Sequence, residues 1–156
     1  RFSLSKYHGF SDDVIGAIKF YISGVTALEE NVRLSKRLHI PSKRLRGFES
    51  KKIGPKDGDD YVGGNYATAL NFEAALPNLL PESTQTDIAV FFDAANLWHV
   101  DYDSSVGESS KIRSSVGVAT NMYTLIGPLN FVFAKALTKV DSDSTQKFKF
   151  EIGTSF

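Results

Sequence analysis

The chain has 156 residues, and its 18 basic and 18 acidic side chains give a formal net charge of zero, so charge offers no reason to expect a nucleic-acid partner. It contains no Cys, which excludes disulfides and thiolate metal sites. No apolar run approaches the roughly twenty residues of a transmembrane helix, but this does not exclude barrel strands, which need only about ten alternating residues each.

Segments in which apolar and polar residues alternate recur along the chain and predict β-strands with one wet face. In chain order these segments are 1–6, 14–27, 64–76, 87–98, 112–123, 129–137 and 147–156. The first resembles the tail of a strand whose beginning is missing. We therefore interpret the sequence as the C-terminal part of a longer chain.

The connections between these strands differ in length. Longer polar loops at 29–62, 99–111 and 139–145 alternate with short turns at 7–13, 77–86 and 124–128. Outer-membrane barrels show this asymmetry, with short periplasmic turns and long outer loops. A soluble β-sandwich explains the alternation equally well. Trp98 and Tyr102, near a strand end, favour the barrel, because amphipathic aromatics gather at membrane interfaces.

The loop at 29–62 is basic and carries several glycines. Loops of this length either carry function or are disordered. Its charge indicates a solvated loop rather than a nucleic-acid patch, because no aromatics interleave to stack bases. Arg46 stands between Leu45 and Phe48, a pattern that favours an ordered loop.

Short motifs follow one another in a specific order and spacing from residue 43 onward. They are LRGF at 45–48, IGP at 53–55, VGGN at 62–65, NFEAALP at 71–77, FFDAANLW at 91–98, IGPL at 126–129 and FKFEIGTSF at 148–156. Together they resemble the BamA family of bacterial outer-membrane assembly factors. The sequence departs from that family at Pro41-Ser42, where a Gly-Gly pair is frequent, and at Thr124-Leu125, where Ser-Pro is common.

The resemblance implies an all-β fold, the C-terminal part of a transmembrane β-barrel with about six antiparallel strands and a long inward-folded loop. Residues 1–156 are then expected to form a partial outer-membrane β-barrel domain of the surface-antigen type, located in the bacterial outer membrane. The upstream strands and the periplasmic POTRA domains are expected to lie outside this chain.

The resemblance also implies a contact between the loop and the barrel wall. In the family, the loop Arg is tucked inside against acidic residues, and the matching positions are Arg46, Glu73 and Asp93. Alternation places both carboxylates on the face opposite the Phe and Leu side chains, on adjacent strands. A planar guanidinium suits two carboxylates, so we predict a loop latch of Arg46, Gly47, Phe48, Glu73 and Asp93. The alternative is that these are ordinary solvated charges.

The last predicted strand has the cleanest alternation. Its apolar face consists of Phe148, Phe150, Ile152 and Phe156. These residues resemble the β-signal by which barrels are recognised for insertion, although any lipid-facing strand has the same pattern. In the family this strand forms one side of a seam that opens to client strands, and Gly153 could weaken its closure.

The implied function is the folding and insertion of β-barrel proteins through this lateral seam. The implied partners are unfolded β-barrel clients, accessory assembly lipoproteins and outer-membrane lipid, with no nucleic acid. The alternatives are a related translocation or assembly barrel of the TamA type and a passive outer-membrane pore. No catalytic or nucleotide-binding motif occurs and the three His are scattered, so we expect neither an enzyme nor a cofactor nor a metal site.

Overall fold

The structure, a computed structural model, describes residues 1–28, 31–101 and 110–153. These residues form an all-β fold. The strands are β1 Phe2–Ser11, β2 Val14–Gly24, β3 Lys56–Asp57, β4 Asp60–Tyr61, β5 Tyr66–Leu76, β6 Thr86–Trp98, β7 Arg113–Thr124, β8 Gly127–Thr138 and β9 Phe148–Ile152. Short 3₁₀ turns occur at Leu34–Lys36, Ser42–Arg44 and Glu82–Thr84. Among the described residues, no helix has the length and apolar character needed to cross a membrane.

Seven strands form one antiparallel sheet in the order β1-β2-β5-β6-β7-β8-β9. The only other sheet in the described part of the chain is the small hairpin of β3 and β4, inside the long loop. The predicted all-β antiparallel architecture is therefore confirmed, and the alternative of two packed sheets is wrong. Within the described ranges, β1 and β9 each pair with a single neighbour, so the sheet is open.

The main sheet has seven strands where about six were expected, because β1 is a full strand. The segment 7–13 was predicted to be a turn, but β1 continues to Ser11 and the chain reverses at Asp12-Asp13. The register pairs Lys6 with Ile18 and His8 with Gly16, so two polar residues of β1 occupy the face that is apolar elsewhere. These two polar residues break the alternation of apolar and polar side chains that marks the other strands.

One face of the sheet, here called the outer face, carries large exposed apolar side chains. Ile18, Phe72, Phe92 and Val116 lie in register across four adjacent strands, β2 and β5 to β7. All four are exposed in the structure. A continuous exposed apolar belt of this kind fits apolar surroundings, as on the lipid side of a membrane barrel.

The opposite face, here called the inner face, is covered by the loop between β2 and β5. A single buried cluster joins Ala67, Ala69 and Ala95 of the sheet to Leu45 and Phe48 of the loop. The alanine side chains are short, so the loop can approach the sheet backbone closely and exclude water. The long loop is therefore folded inward against the sheet.

Gly117 of β7 makes room on this inner face for the Phe91 ring of β6, its direct partner in the register. A Cβ at position 117 would lie 2.1 Å from the Phe133 carbonyl oxygen and 2.6 Å from the Phe91 ring. Any larger side chain must therefore displace both the sheet backbone and the aromatic ring.

We predict that Gly117→Ala lowers the free energy of unfolding of the intact protein by about 1–3 kcal/mol, the usual cost of overpacking. Urea denaturation in lipid vesicles measures this change. The matched control is Gly9→Ala in β1, where an added Cβ meets nothing within 4 Å. Equal unfolding midpoints for the two variants would contradict this account of the inner face.

Candidate functional site

The candidate site is the place where the inward loop meets β5, β6 and β7. Arg46 follows the 3₁₀ turn Ser42–Arg44, and Gly47 has φ +89°, a conformation that glycine adopts without strain. An added Cβ at Gly47 would lie 3.0 Å from Ala134 Cβ. Phe48 is buried in the loop cluster. The loop thus presents Arg46 to the wall, passes close to it at Gly47 and is anchored by Phe48.

Arg46 binds two carboxylates on the inner face. Its Nε and Nη2 atoms donate to Asp93 Oδ2 and Oδ1, both at 2.8 Å, and its Nη1 atom donates to Glu73 Oε2 at 2.7 Å. Its backbone N–H also donates to Asp93 Oδ2 at 3.0 Å, and the Ser115 hydroxyl donates to its carbonyl oxygen. Asp93 therefore holds both the side chain and the backbone of Arg46.

The Arg46 guanidinium also lies on an aromatic ring. Its Cζ atom is 3.6 Å from the centroid of the Phe91 ring, a distance typical of cation–π stacking. Phe91 occupies that position because Gly117 opposite it has no side chain. The guanidinium is thus held by charge at its edge and by the ring at its face.

Further polar residues support the two carboxylates. Asn71 Nδ2 donates to Asp93 Oδ1 at 2.8 Å and to the Arg44 carbonyl oxygen at 2.9 Å, so it joins the wall to the loop beside the ion pair. Lys19 Nζ lies 3.5 Å from Glu73 Oε1 and adds a second positive charge there. The cluster therefore spans β2, β5, β6 and the loop.

The cluster is largely desolvated. The Asp93 side chain is 0% exposed, that of Arg46 15% and that of Glu73 22%. Burial opposes the charged form of Arg46, but the hydrogen bonds and negative charges of Asp93 and Glu73 outweigh it and raise the pKa of Arg46. The charged form therefore persists, and it offsets the cost of burying Asp93.

A second buried ion pair was not predicted from the sequence. Arg113 at the start of β7 donates from Nε to Asp143 Oδ2 at 2.9 Å and from Nη2 to Oδ1 at 3.1 Å. The alternation of β7 places Arg113 on the same face as Ser115, which was the available signal. Its partner lies in the loop between β8 and β9, and no periodicity relates the two positions.

A third ion pair ties the first part of the long loop to the start of the loop that follows β6. Arg37 Nη2 lies 2.6 Å from Asp101 Oδ1, and the Val32 backbone N–H donates to Asp101 Oδ2 at 2.9 Å. The Val32 N–H, with help from Asn65 and Arg37, lowers the pKa of Asp101 to about 2. A lowered pKa means that this tie is present above the usual pKa of Asp and is lost as the pH falls through about 2.

The predicted residues of the last strand lie on the outer face, away from the Arg46 cluster. Phe150 and Phe148 are exposed and stack on Phe131 and Phe133 of β8, with ring centroids 5.0 and 4.9 Å apart. Ile152 is also exposed, and Gly153 has φ +110°. Phe156, and Tyr102 of the predicted aromatic belt, lie outside the described residues. Trp98 pairs with Tyr66 at the end of β5 and β6.

Comparison with known proteins gives the family. Residues 1–156 match the model of the Omp85 superfamily domain along their whole length. The chain belongs to the Omp85 superfamily. As an Omp85 member it is part of a bacterial outer-membrane protein, and its exposed outer face is accordingly the lipid-facing side of a barrel wall.

The Omp85 relatives include two proteins named outer membrane protein assembly factor BamA. The protein from Neorickettsia risticii (strain Illinois) is 34% identical and the match covers 72% of this chain and 16% of that protein. The protein from Neisseria meningitidis serogroup B (strain ATCC BAA-335 / MC58) is 30% identical, with 72% and 17% covered. The resemblance to BamA is therefore confirmed, and the chain spans about one sixth of the length of these curated relatives.

A solved structure shows the same fold. It is the crystal structure of BamA from Haemophilus ducreyi lacking POTRA domains 1–3, with a TM-score of 0.83 and 23% sequence identity. The match covers 95% of this chain and 33% of that one.

Within the described ranges of the present chain, no three His, Asp or Glu side chains group as metal ligands.

We predict that Asp93→Asn destabilises the intact protein by about 3 kcal/mol, because it leaves the Arg46 charge without its buried partner. Glu73→Gln should cost about 1 kcal/mol or less, since Glu73 is partly exposed and accepts only one Arg46 hydrogen bond. Urea denaturation of both variants under identical conditions measures the difference. A larger effect of Glu73→Gln would contradict the assignment of Asp93 as the main partner.

Proposed function

We propose that this chain is part of the barrel of an outer-membrane protein assembly factor, which folds and inserts other β-barrel proteins. The observation that carries the proposal is the loop bound to the inner face through Arg46, Asp93 and Glu73. The names of the two BamA relatives support it. In this proposal the Arg46 cluster is the loop latch, and the protein carries out no catalytic step.

The mechanism we propose uses a free strand edge. In the bilayer, a client strand with unpaired backbone groups is costly, so an edge that accepts its main-chain hydrogen bonds lowers the barrier to insertion. The outward edge of β9 would offer such groups at a lateral seam. The conformation of Gly153 after β9 would turn the chain away from a regular strand and weaken closure there.

The partners we propose are unfolded β-barrel clients, accessory assembly lipoproteins and outer-membrane lipid. Strands and POTRA domains from outside residues 1–156 would complete the barrel and its periplasmic part. The inward loop supports this function over a passive pore, because Leu45, Phe48 and Ile53 pack against the inner face that a pore would leave open to water. A TamA-type assembly barrel is the alternative within the same superfamily.

The direct test is insertion of an unfolded β-barrel client into liposomes that contain the intact protein. We expect the wild-type protein to accelerate insertion and Arg46→Ala to lose at least about tenfold of that acceleration, since loss of a buried charge partner releases the loop. Arg33→Ala is the control, because Arg33 is an exposed arginine of the same loop. No acceleration by the folded wild-type protein would favour a passive pore.

The proposed signal in β9 has its own test. Phe150→Leu keeps an apolar lipid-facing side chain but removes the ring that stacks on Phe131. If the aromatic strand is recognised during assembly, this variant should assemble more slowly through the cellular machinery yet fold into pure lipid vesicles at the wild-type rate. Equal slowing in both settings would show that the residue acts only as a lipid-facing side chain.

A further inference from the structure

We propose that Arg113 and Asp143 are positioning residues that couple the inward loop to the last strand, β9. The coupling element is the segment 143–147, which binds the loop at one end and β8 at the other. Coupling of the two elements concerns this chain alone. Its consequence for client insertion rests on the proposed function.

The pair is one of the most buried in the described residues. Both side chains are 0% exposed, and they meet through two hydrogen bonds of 2.9 and 3.1 Å. The Val140 backbone N–H donates to Asp143 Oδ2 at 2.7 Å and closes a tight turn. Asp143 is therefore fixed to β7 by charge and shapes its own loop by a backbone contact.

Asp143 also reaches the inward loop. Its Oδ1 atom lies 3.4 Å from the backbone nitrogen of Gly54, in the IGP motif. An added Cβ at Gly54 would come within 2.7 Å of Leu97 Cδ2, so this part of the loop lies directly on the wall. One carboxylate thus joins Arg113 of the wall, the IGP turn and the loop that precedes β9.

The residues after Asp143 pair with the inward loop through an isolated antiparallel bridge and the hydrogen bonds beside it. The Ser144 N–H donates to the Lys52 carbonyl oxygen, and the Ser144 carbonyl oxygen accepts from the Glu49 N–H, each at 3.0 Å. Gln146 N–H donates to the Gly47 carbonyl at 3.0 Å, next to Arg46. Between these bonds, Phe48 and Thr145 form an isolated bridge.

One residue later, the same segment stops pairing with the loop and begins to pair with β8. The Lys147 carbonyl accepts a hydrogen bond from Ala134 N–H of β8 at 2.9 Å, and β9 begins at Phe148. A strand that simply continued β9 would follow β8 further, because β8 runs to Thr138 but its β9 register ends at Phe133. The chain leaves β8 here to pair with the loop.

Two ion pairs therefore hold the two segments that pair through their backbones, the inward loop and the segment 143–147. Arg46 fixes the loop side to β5 and β6, and Arg113 fixes the other side to β7 through Asp143. Loosening either ion pair frees this backbone pairing, and with it the start of β9. Coupling of this kind is reciprocal, so each pair should affect the strand that the other pair holds.

Hydrogen exchange of the intact protein in lipid nanodiscs tests the coupling. Asp143→Asn keeps the side-chain size but removes the buried negative charge that faces Arg113. We expect its amides at Glu49, and at Lys149 and Glu151, whose N–H groups face β8 in the observed register, to exchange at least about tenfold faster than in the wild type. Asp141→Asn, the same change at an exposed site in the same loop, is the control and should leave these rates unchanged.

The reciprocal arm uses Arg46→Ala and keeps the test decisive if Asp143→Asn fails to fold. It should speed exchange at Ser144 and Gln146, which Arg46 does not touch. Faster exchange confined to residues 140–143 in Asp143→Asn, or to the loop in Arg46→Ala, would overturn the coupling. Client insertion is scored separately: coupled exchange without any effect on insertion would count against the proposed function and not against this inference.

Discussion

The buried carboxylate of Asp93 constrains the rest of this structure. A carboxylate with no exposed surface requires a positive charge and hydrogen-bond donors nearby, because water cannot supply them. Here Arg46 supplies three hydrogen bonds and Asn71 a fourth. Since Arg46 belongs to the loop, satisfying Asp93 requires the loop to fold onto the wall.

The wall is built to receive that loop. Ala67, Ala69 and Ala95 have short side chains, so the loop can pack close to the sheet backbone. Gly117 leaves room for the Phe91 ring to lie against the Arg46 guanidinium. The large apolar side chains lie on the other face, where the membrane provides their surroundings. Period-two alternation thus serves packing on one face and lipid contact on the other.

The sequence predicts the two faces well but the contacts across space poorly. Alternation alone puts Glu73 and Asp93 on the inner side of adjacent strands, because each strand repeats every two residues. It could not select Arg46 from the many basic residues of the loop, and only the family resemblance did so. Arg113 and Asp143 were missed because their pairing depends on how a loop folds. The first strand was cut short because Lys6 and His8 occupy outer positions.

In the proposed function, Arg46 acts on client insertion through its pairing with Asp93. The most direct measurement is a double-mutant cycle on the insertion rate of one unfolded client, using Arg46→Ala, Asp93→Ala and the double variant in the intact protein. If the two residues act as a pair, the double variant should insert the client no more slowly than the slower single variant. If the double variant is instead slower by the product of the two single effects, the two residues act independently, and this would contradict the pairing.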